Sequence, residues 1–291
     1  MNQNQSITQN TATQKEQKKV IYDFGSNNGD DIPYYLKKSD IVIAVEANPV
    51  LCEQIQNRFI VEIRESRLFV ENCVLTTDDS ASEVYFYIHK NHHVLSQFPE
   101  PVNADNFEKV LLPSKSVLQL ISKYGSPHYI KIDIEHYDEA ILRVLFDNNI
   151  RPPFISAESH SIEVFSLLVS LGKYNSFKLV DGSSVSQKYN NHRIKVDDKF
   201  ESYSFPHHSA GPFGDDICGE WISADELFLL LAIERLGWKD IHATNTVEAN
   251  IHVQAQPSKR RVVEMVVRYF IKPNMPIMAW TLIQKIYAKI F

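Results

Sequence analysis

The sequence predicts a doubly wound α/β fold, and three observations carry that expectation. Short apolar runs alternate with helical patterns five or six times along the chain, the order that builds one mostly parallel sheet. The runs are continuous, as in Ile41-Val42-Ile43-Ala44-Val45, so these strands are expected to be buried on both faces. The first run, Val20-Ile21-Tyr22, ends in Asp23, Gly25 and Gly29 and leads into a helical stretch at 30–38. A strand, a glycine turn and a helix make the corner at which open α/β sheets bind nucleotides.

Composition narrows the field. A length of 291 residues suffices for one large or two small domains, and 44% hydrophobic residues support a real core. The net charge of -6 gives no basic field, so no nucleic-acid partner is expected. Cys52, Cys73 and Cys218 lack metal-site spacing, and their odd number argues against a disulfide framework. They read as buried, reduced thiols of a cytoplasmic protein. The N-terminal stretch has no signal-peptide pattern, and no apolar run reaches the roughly 18 residues needed to span a bilayer. Residues 1–19 are rich in Gln, Asn, Thr and Lys and read as a disordered tail.

The elements follow in order within a domain expected at 20–256. After the second strand, Asn48 caps a helix that Pro49 opens. A third strand is expected over 67–75 and a more exposed one over 83–89. Residues 91–106 form a polar loop whose adjacent His92 and His93 read as loop residues, since neighbours cannot easily share one metal. A helix is expected from Pro113 to about Lys123, then a fourth strand at 128–135 with Asp133 and Glu135 on one face at its end. An amphipathic helix follows from Asp138, then a strand at 154–158, Ser159-His160, a helix from Ser161, and a strand at 177–180. Residues 182–222 read as a lid-like insertion, irregular to Phe205 and rich in Gly, Pro, His and aromatics thereafter. Ser223-x-x-Glu226 is a capping box, and Trp238 to Ala243 reads as a closing strand. Residues 257–291 carry seven Lys or Arg against one acid, +6 against -12 for the rest of the chain. Their apolar residues follow helical spacing, so a basic amphipathic helical extension is expected. It either packs on the domain or makes a peripheral membrane contact.

The glycine turn has its own chemistry. A dinucleotide fingerprint reads G-x-G-x-x-G, with the middle glycine admitting a pyrophosphate. Here the pattern is Asp23-x-Gly25-x-Asn27-x-Gly29, with Asn27 where that glycine would stand. An acid before the turn repels phosphate and suits an amino-acid ammonium, which favours S-adenosylmethionine (SAM) over NAD. Glu46, expected at the cleft rim at the end of the second strand, is placed to accept ribose hydroxyls of either nucleotide. An NAD-dependent oxidoreductase stays as the rival enzyme, and a non-catalytic membrane-peripheral binding protein as the rival outside enzymology.

Three motifs stand in order: Asp23-x-Gly25-x-Asn27-x-Gly29, Glu46-Ala47-Asn48-Pro49 and Lys131-Ile132-Asp133-Ile134-Glu135-His136-Tyr137-Asp138. Together they resemble the FkbM family of SAM-dependent methyltransferases over roughly residues 20–171. In the third motif His136 replaces a family glycine and Asp138 a glutamate. The resemblance implies a Rossmann-like, class I SAM-methyltransferase sheet of seven strands and O-methylation of a hydroxyl on a sugar, glycan or natural product. It also implies that Asp23, Gly25, Ser26, Asn27 and Gly29 surround the methionine part of SAM. Glu46 and Asn48 would serve the ribose side, Asn72 and Val74 would flank the adenine, and Asp133 would lie under the methyl. Removing the hydroxyl proton needs a nearby base. Asp133, Glu135, Glu158 and His160 qualify by position, and His160 has the ordinary pKa best matched to neutral pH. No metal is expected. As an alternative, Asp133, Glu158 and His160 could hold a divalent cation that acidifies the hydroxyl.

Overall fold

The computed structural model describes residues 18–250. The tail before residue 18 and the basic extension expected at 257–291 lie outside the described residues.

Each buried strand feeds two cores because successive side chains point to opposite faces. In β1 (Val20–Phe24) Val20, Tyr22 and Phe24 join one cluster, while Ile21 joins the other. β1 pairs in parallel with β2 (Ile41–Val45), and β2 with β3 (Leu68–Glu71). Helices α1 (Ile32–Lys38), α2 (Pro49–Arg58) and α3 (Ile60–Arg64) connect these strands. As expected, Asn48 caps α2 by accepting from the Val50 amide. The chain then leaves the main sheet for β4 (Val74–Thr76), β5 (Glu83–His89) and β6 (Phe107–Ser116), a separate sheet of order β4-β6-β5.

It returns through α4 (Val117–Tyr124) to β7 (Pro127–Ile132), which lies on the other side of β1. α5 (Asp138–Asp147), β8 (Phe154–Ser159), α6 (Ile162–Ser170) and β9 (Ser176–Asp181) continue outward. α7 (Val185–Lys188) precedes a hairpin of β10 (His192–Val196) and β11 (Lys199–Tyr203). Finally α8 (Ala224–Glu234) leads to β12 (Gly237–Thr244), which runs antiparallel between β8 and β9. The sheet order is β3-β2-β1-β7-β8-β12-β9, the doubly wound, Rossmann-like α/β arrangement that the pattern of runs predicts. Strand order reverses between β1 and β7, which opens a crevice beyond their carboxyl ends.

Four local expectations need correction. The strand expected over 67–75 breaks at Asn72, whose Nδ2 donates to the carbonyls of Glu46 and Ala47 while Val74 onward pairs with β6. Pro113 to Ser116 belongs to β6, not to a helix, because β4 and β5 both pair with that stretch. The helix begins after Ser116, which accepts from the Gln119 amide. Residues 182–203, read as irregular, form α7 and the β10-β11 hairpin. Its sparse apolar residues hid the alternation, with only Ile194 fully buried. Cys218 is exposed, unlike Cys52 and Cys73, and all three are free thiols.

The stretch expected as a lid is fixed to the body. Phe205, Phe213 and Ile217 are buried in the α1-side cluster, with Phe213 stacked on Tyr129 at 4.1 Å. Asp31 accepts from Ser209 Oγ and the Ala210 amide, and Tyr34 Oη donates to Asp216. No helix among the described residues is long and apolar enough to cross a membrane.

Candidate active site

The site is built where the first turn meets the end of β7. After Phe24 the backbone turns back, and the amides of Gly25 and Ser26 both donate to the Val45 carbonyl at 3.0 Å. Gly25 has φ +81°, and a Cβ there would lie 1.9 Å from the Asp133 carbonyl oxygen. The turn can therefore lie against β7 only with glycine at this position. Asn27 is also left-handed, at φ +47°, a conformation asparagine tolerates better than most side chains. Its Oδ1 is buried without a hydrogen-bond partner.

Glu46 braces this turn from β2. Its two carboxylate oxygens accept the Asn27 and Asn48 amides, each at 2.8 Å. The residue is buried rather than at a rim. Burial pushes its pKa up to about 7 against the pull of those two amides. Lys131, buried beneath, donates to the Gly25 carbonyl at 2.9 Å and lies 3.5 Å from Asp23 Oδ1 and 3.2 Å from Asp133 Oδ2. Although burial opposes its charge, Asp133 and Asp23 hold its pKa well above the ordinary lysine value. Burial raises Asp23 as well, and Lys131 works against that shift.

The carboxyl ends of β7 and β8 carry the second half. His160 Nε2 lies 2.9 Å from Glu158 Oε2 and 3.7 Å from Glu135 Oε2. Burial disfavours the imidazolium, but the Glu158, Asp138 and Glu135 carboxylates override it and push the pKa up to about 10. His160 is therefore charged at neutral pH, which corrects the expectation that its titration matches pH 7. Glu135 is pushed up to about 7, mainly by burial. Asp133 stays below the usual carboxylate range; burial opposes its charge, but Lys131, Glu158 and His160 together outweigh that. His136 has φ +63°, the left-handed region that explains a glycine at this position in the resembling pattern.

A cavity of about 560 Å³ joins the two halves. Gly25, Asn27, Glu46, Val74, Asp133, Glu158 and His160 all line it, as the sequence reading requires of site residues. Asp23, Ser26, Gly29, Asn48 and Asn72 are not among its lining residues. Asp23 Oδ1 lies 3.5 Å from Lys131 Nζ, and neither carboxylate oxygen makes a hydrogen bond. Ser26 Oγ donates to the Asp23 carbonyl, Gly29 sits against Ile32, Ile55 and Phe59, and Asn48 caps α2. Asn72 spends its amide on backbone carbonyls. The sequence reading missed several walls: Leu51, Phe86, the segment His93–Phe98, His208 and Trp238. The isolated pairing of Gln97 with Tyr87 holds the 93–98 segment there. In the sequence His93 reads only as a loop residue, His208 as part of a His-rich stretch and Trp238 as the start of a closing strand.

Fold and site together define a doubly wound α/β protein with one cavity at its strand ends and an acidic second chamber. Residues 23–167 match the family described as Methyltransferase FkbM domain, and this part of the chain belongs to that family. No curated protein matches the chain. Among solved structures, the methyltransferase FkbM from Methylobacillus flagellatus is 15% identical with a TM-score of 0.39, over 56% of this chain and 39% of its own. The chain thus spans about two fifths of that protein. The methyltransferase domain of bacterial CtHen1 is 10% identical with a TM-score of 0.33, over 78% of this chain and 90% of its own. Spermidine synthase from Thermotoga maritima is 8% identical with a TM-score of 0.34, over 86% and 67%. Similarities of this size do not bear on the reaction.

Proposed function

We propose that this chain is a SAM-dependent O-methyltransferase acting on a hydroxyl of a sugar, glycan or natural product. The observation that carries the reading is one cavity walled at one end by Gly25, Asn27 and Glu46 and at the other by Asp133, Glu135, Glu158 and His160. The family of residues 23–167 supports it. The residues fit the cofactor: Gly25, Asn27 and Glu46 line the cavity, and the buried Asn27 Oδ1 is short of a partner. SAM supplies an electrophilic methyl group when bound.

The chain's own residues divide the remaining work. Glu46, held by two amides, has a spare acceptor position on each oxygen for ribose hydroxyls. Val74, Leu75 and Leu51 give an apolar wall for a purine. Glu135 and Glu158 face the chamber where an acceptor hydroxyl must sit, and either can take its proton. His160, charged beside them, orients Glu158 and offsets its charge. Holding the hydroxyl in line and away from water is the larger part of the rate gain.

Isothermal titration calorimetry with SAM and with NAD tests the reading. Saturable SAM binding with none for NAD is expected. NAD binding without SAM binding overturns it.

A further inference from the structure

The second chamber holds more negative charge than methyl transfer needs. Asp133 and Glu158 come from the ends of adjacent strands, and His160 follows directly after β8. One ligand-type atom from each lies within 4.8 Å of the other two. All three line the cavity, so a small ion can reach them.

Two further features of the chamber point to a cation. His160 Nε2 approaches Glu158 Oε2 to 2.9 Å yet lacks the alignment of a hydrogen bond, and it is a buried atom without one. Asp240 is 3% exposed, and its Oδ1 has no partner. Asp240 pairs directly with Glu158 across the β8-β12 ladder, so both side chains stand on the same face of the sheet. The positive groups nearby are already engaged: Lys131 is held between Asp23 and Asp133, and His160 faces Glu158 and Glu135. That one imidazolium leaves the buried Asp240 Oδ1 without a partner, which is costly.

We propose that Asp133, Glu158 and His160 form a divalent-cation site, the ion displacing the imidazole proton to solvent and the three ligands leaving positions open to solvent or substrate oxygen. Two oxygen donors and one nitrogen donor suit Mn²⁺ among the common divalent ions: carboxylates favour hard ions, and imidazole excludes the hardest. Glu135, 3.7 Å from His160, stands beside the site as a neighbouring carboxylate. In the transfer reaction the ion would bind the acceptor oxygen and ease its deprotonation. That use rests on the methyltransferase reading; the binding of the ion does not.

The test is electron paramagnetic resonance of Mn²⁺ titrated with the full chain, without SAM or acceptor. The free-ion signal is expected to fall to a plateau at one ion per chain. Glu158→Gln and His160→Gln are each expected to weaken binding about 10- to 100-fold or more, the loss typical even of residues that only orient metal ligands. Circular dichroism melting identifies a variant that fails to fold, and the other variant then decides. His89→Ala, in a histidine pair outside the chamber with ring centroids 5.5 Å apart, is expected to bind Mn²⁺ like the parent. A signal unchanged by the parent protein overturns the proposal, as does binding that survives both chamber substitutions or disappears in His89→Ala. Because SAM is absent from the assay, failure of this site and failure of the methyltransferase reading are separate results.

Discussion

At the scale of single residues, Glu46 does two jobs with one carboxylate. It straps the first turn to β2 through the amides of Asn27 and Asn48, and it faces the cavity. The expected position at a cleft rim would have made Glu46→Ala harmless to folding. The observed burial forecasts otherwise: two buried amides lose their acceptor. The substitution is expected to weaken SAM binding about tenfold to a hundredfold, or about 1.5–3 kcal/mol. Stability is expected to fall by about 1–3 kcal/mol in urea titration. Unchanged SAM affinity in calorimetry places the ribose elsewhere. His136 shows the complementary point. It departs from the glycine of the resembling motif, yet keeps the left-handed backbone that a glycine would adopt freely.

At the scale of elements, the β1–α1 corner is the part most dependent on sequence detail. Gly25 admits no side chain, since a Cβ would meet the Asp133 carbonyl at 1.9 Å. Gly25→Ala is therefore expected to cost more than the roughly 1–2 kcal/mol of left-handed strain alone. Calorimetric melting checks this, and a Tm within a degree or two of the parent contradicts the close approach of β1 and β7. This corner was legible from Asp23, Gly25 and Gly29 because glycine spacing, an apolar run and a helix start all encode local geometry. The carboxyl ends of β7 and β8 were legible for the same reason, through Asp133, Glu158 and His160. The chamber's outer walls were not. Phe86 and the 93–98 segment reach the cavity through the pairing of Gln97 with Tyr87. Nothing local to residues 91–106 records that non-local pairing. Roles within the first motif were blurred likewise: Asp23 and Asn72 turn to Lys131 and to backbone carbonyls, partners that only the folded chain brings near.

At the scale of the whole molecule, the fold buries carboxyl groups, Asp31 beneath the 205–217 segment and Glu46 at the cavity. Burial pushes Asp31 up to about 7, against the pull of Lys131, and Glu46 likewise to about 7. Both folded values lie above the ordinary carboxylate values near 4. Such groups bind more protons folded than unfolded, so their contribution is complete below about pH 4 and lost as pH rises through about 7. Glu71 acts oppositely: burial resists its charge, but hydrogen bonds from Lys115, Lys123 and Tyr124 bring it down to about 2, so its contribution is lost only in strong acid. Scanning calorimetry from pH 5 to pH 8 in EDTA is expected to show Tm falling as pH rises. Glu46→Ala, which removes one of the raised groups, is expected to flatten that fall. A Tm that climbs over this range contradicts the protonated-acid account.

The antiparallel insertion of β12 also sets an order of events during synthesis. Among the described residues β9 pairs with no strand of the sheet except β12, and β12 fills the place between β8 and β9. Until Gly237–Thr244 has left the ribosome, β8 and β9 each present an open row of amides and carbonyls, the kind of edge that recruits other chains. The matched family segment ends at residue 167, so it stops well short of the strand that seals its own sheet. A nascent or recombinant fragment cut before Gly237 is thus left holding two sticky margins, and chaperone dependence should end only when β12 arrives.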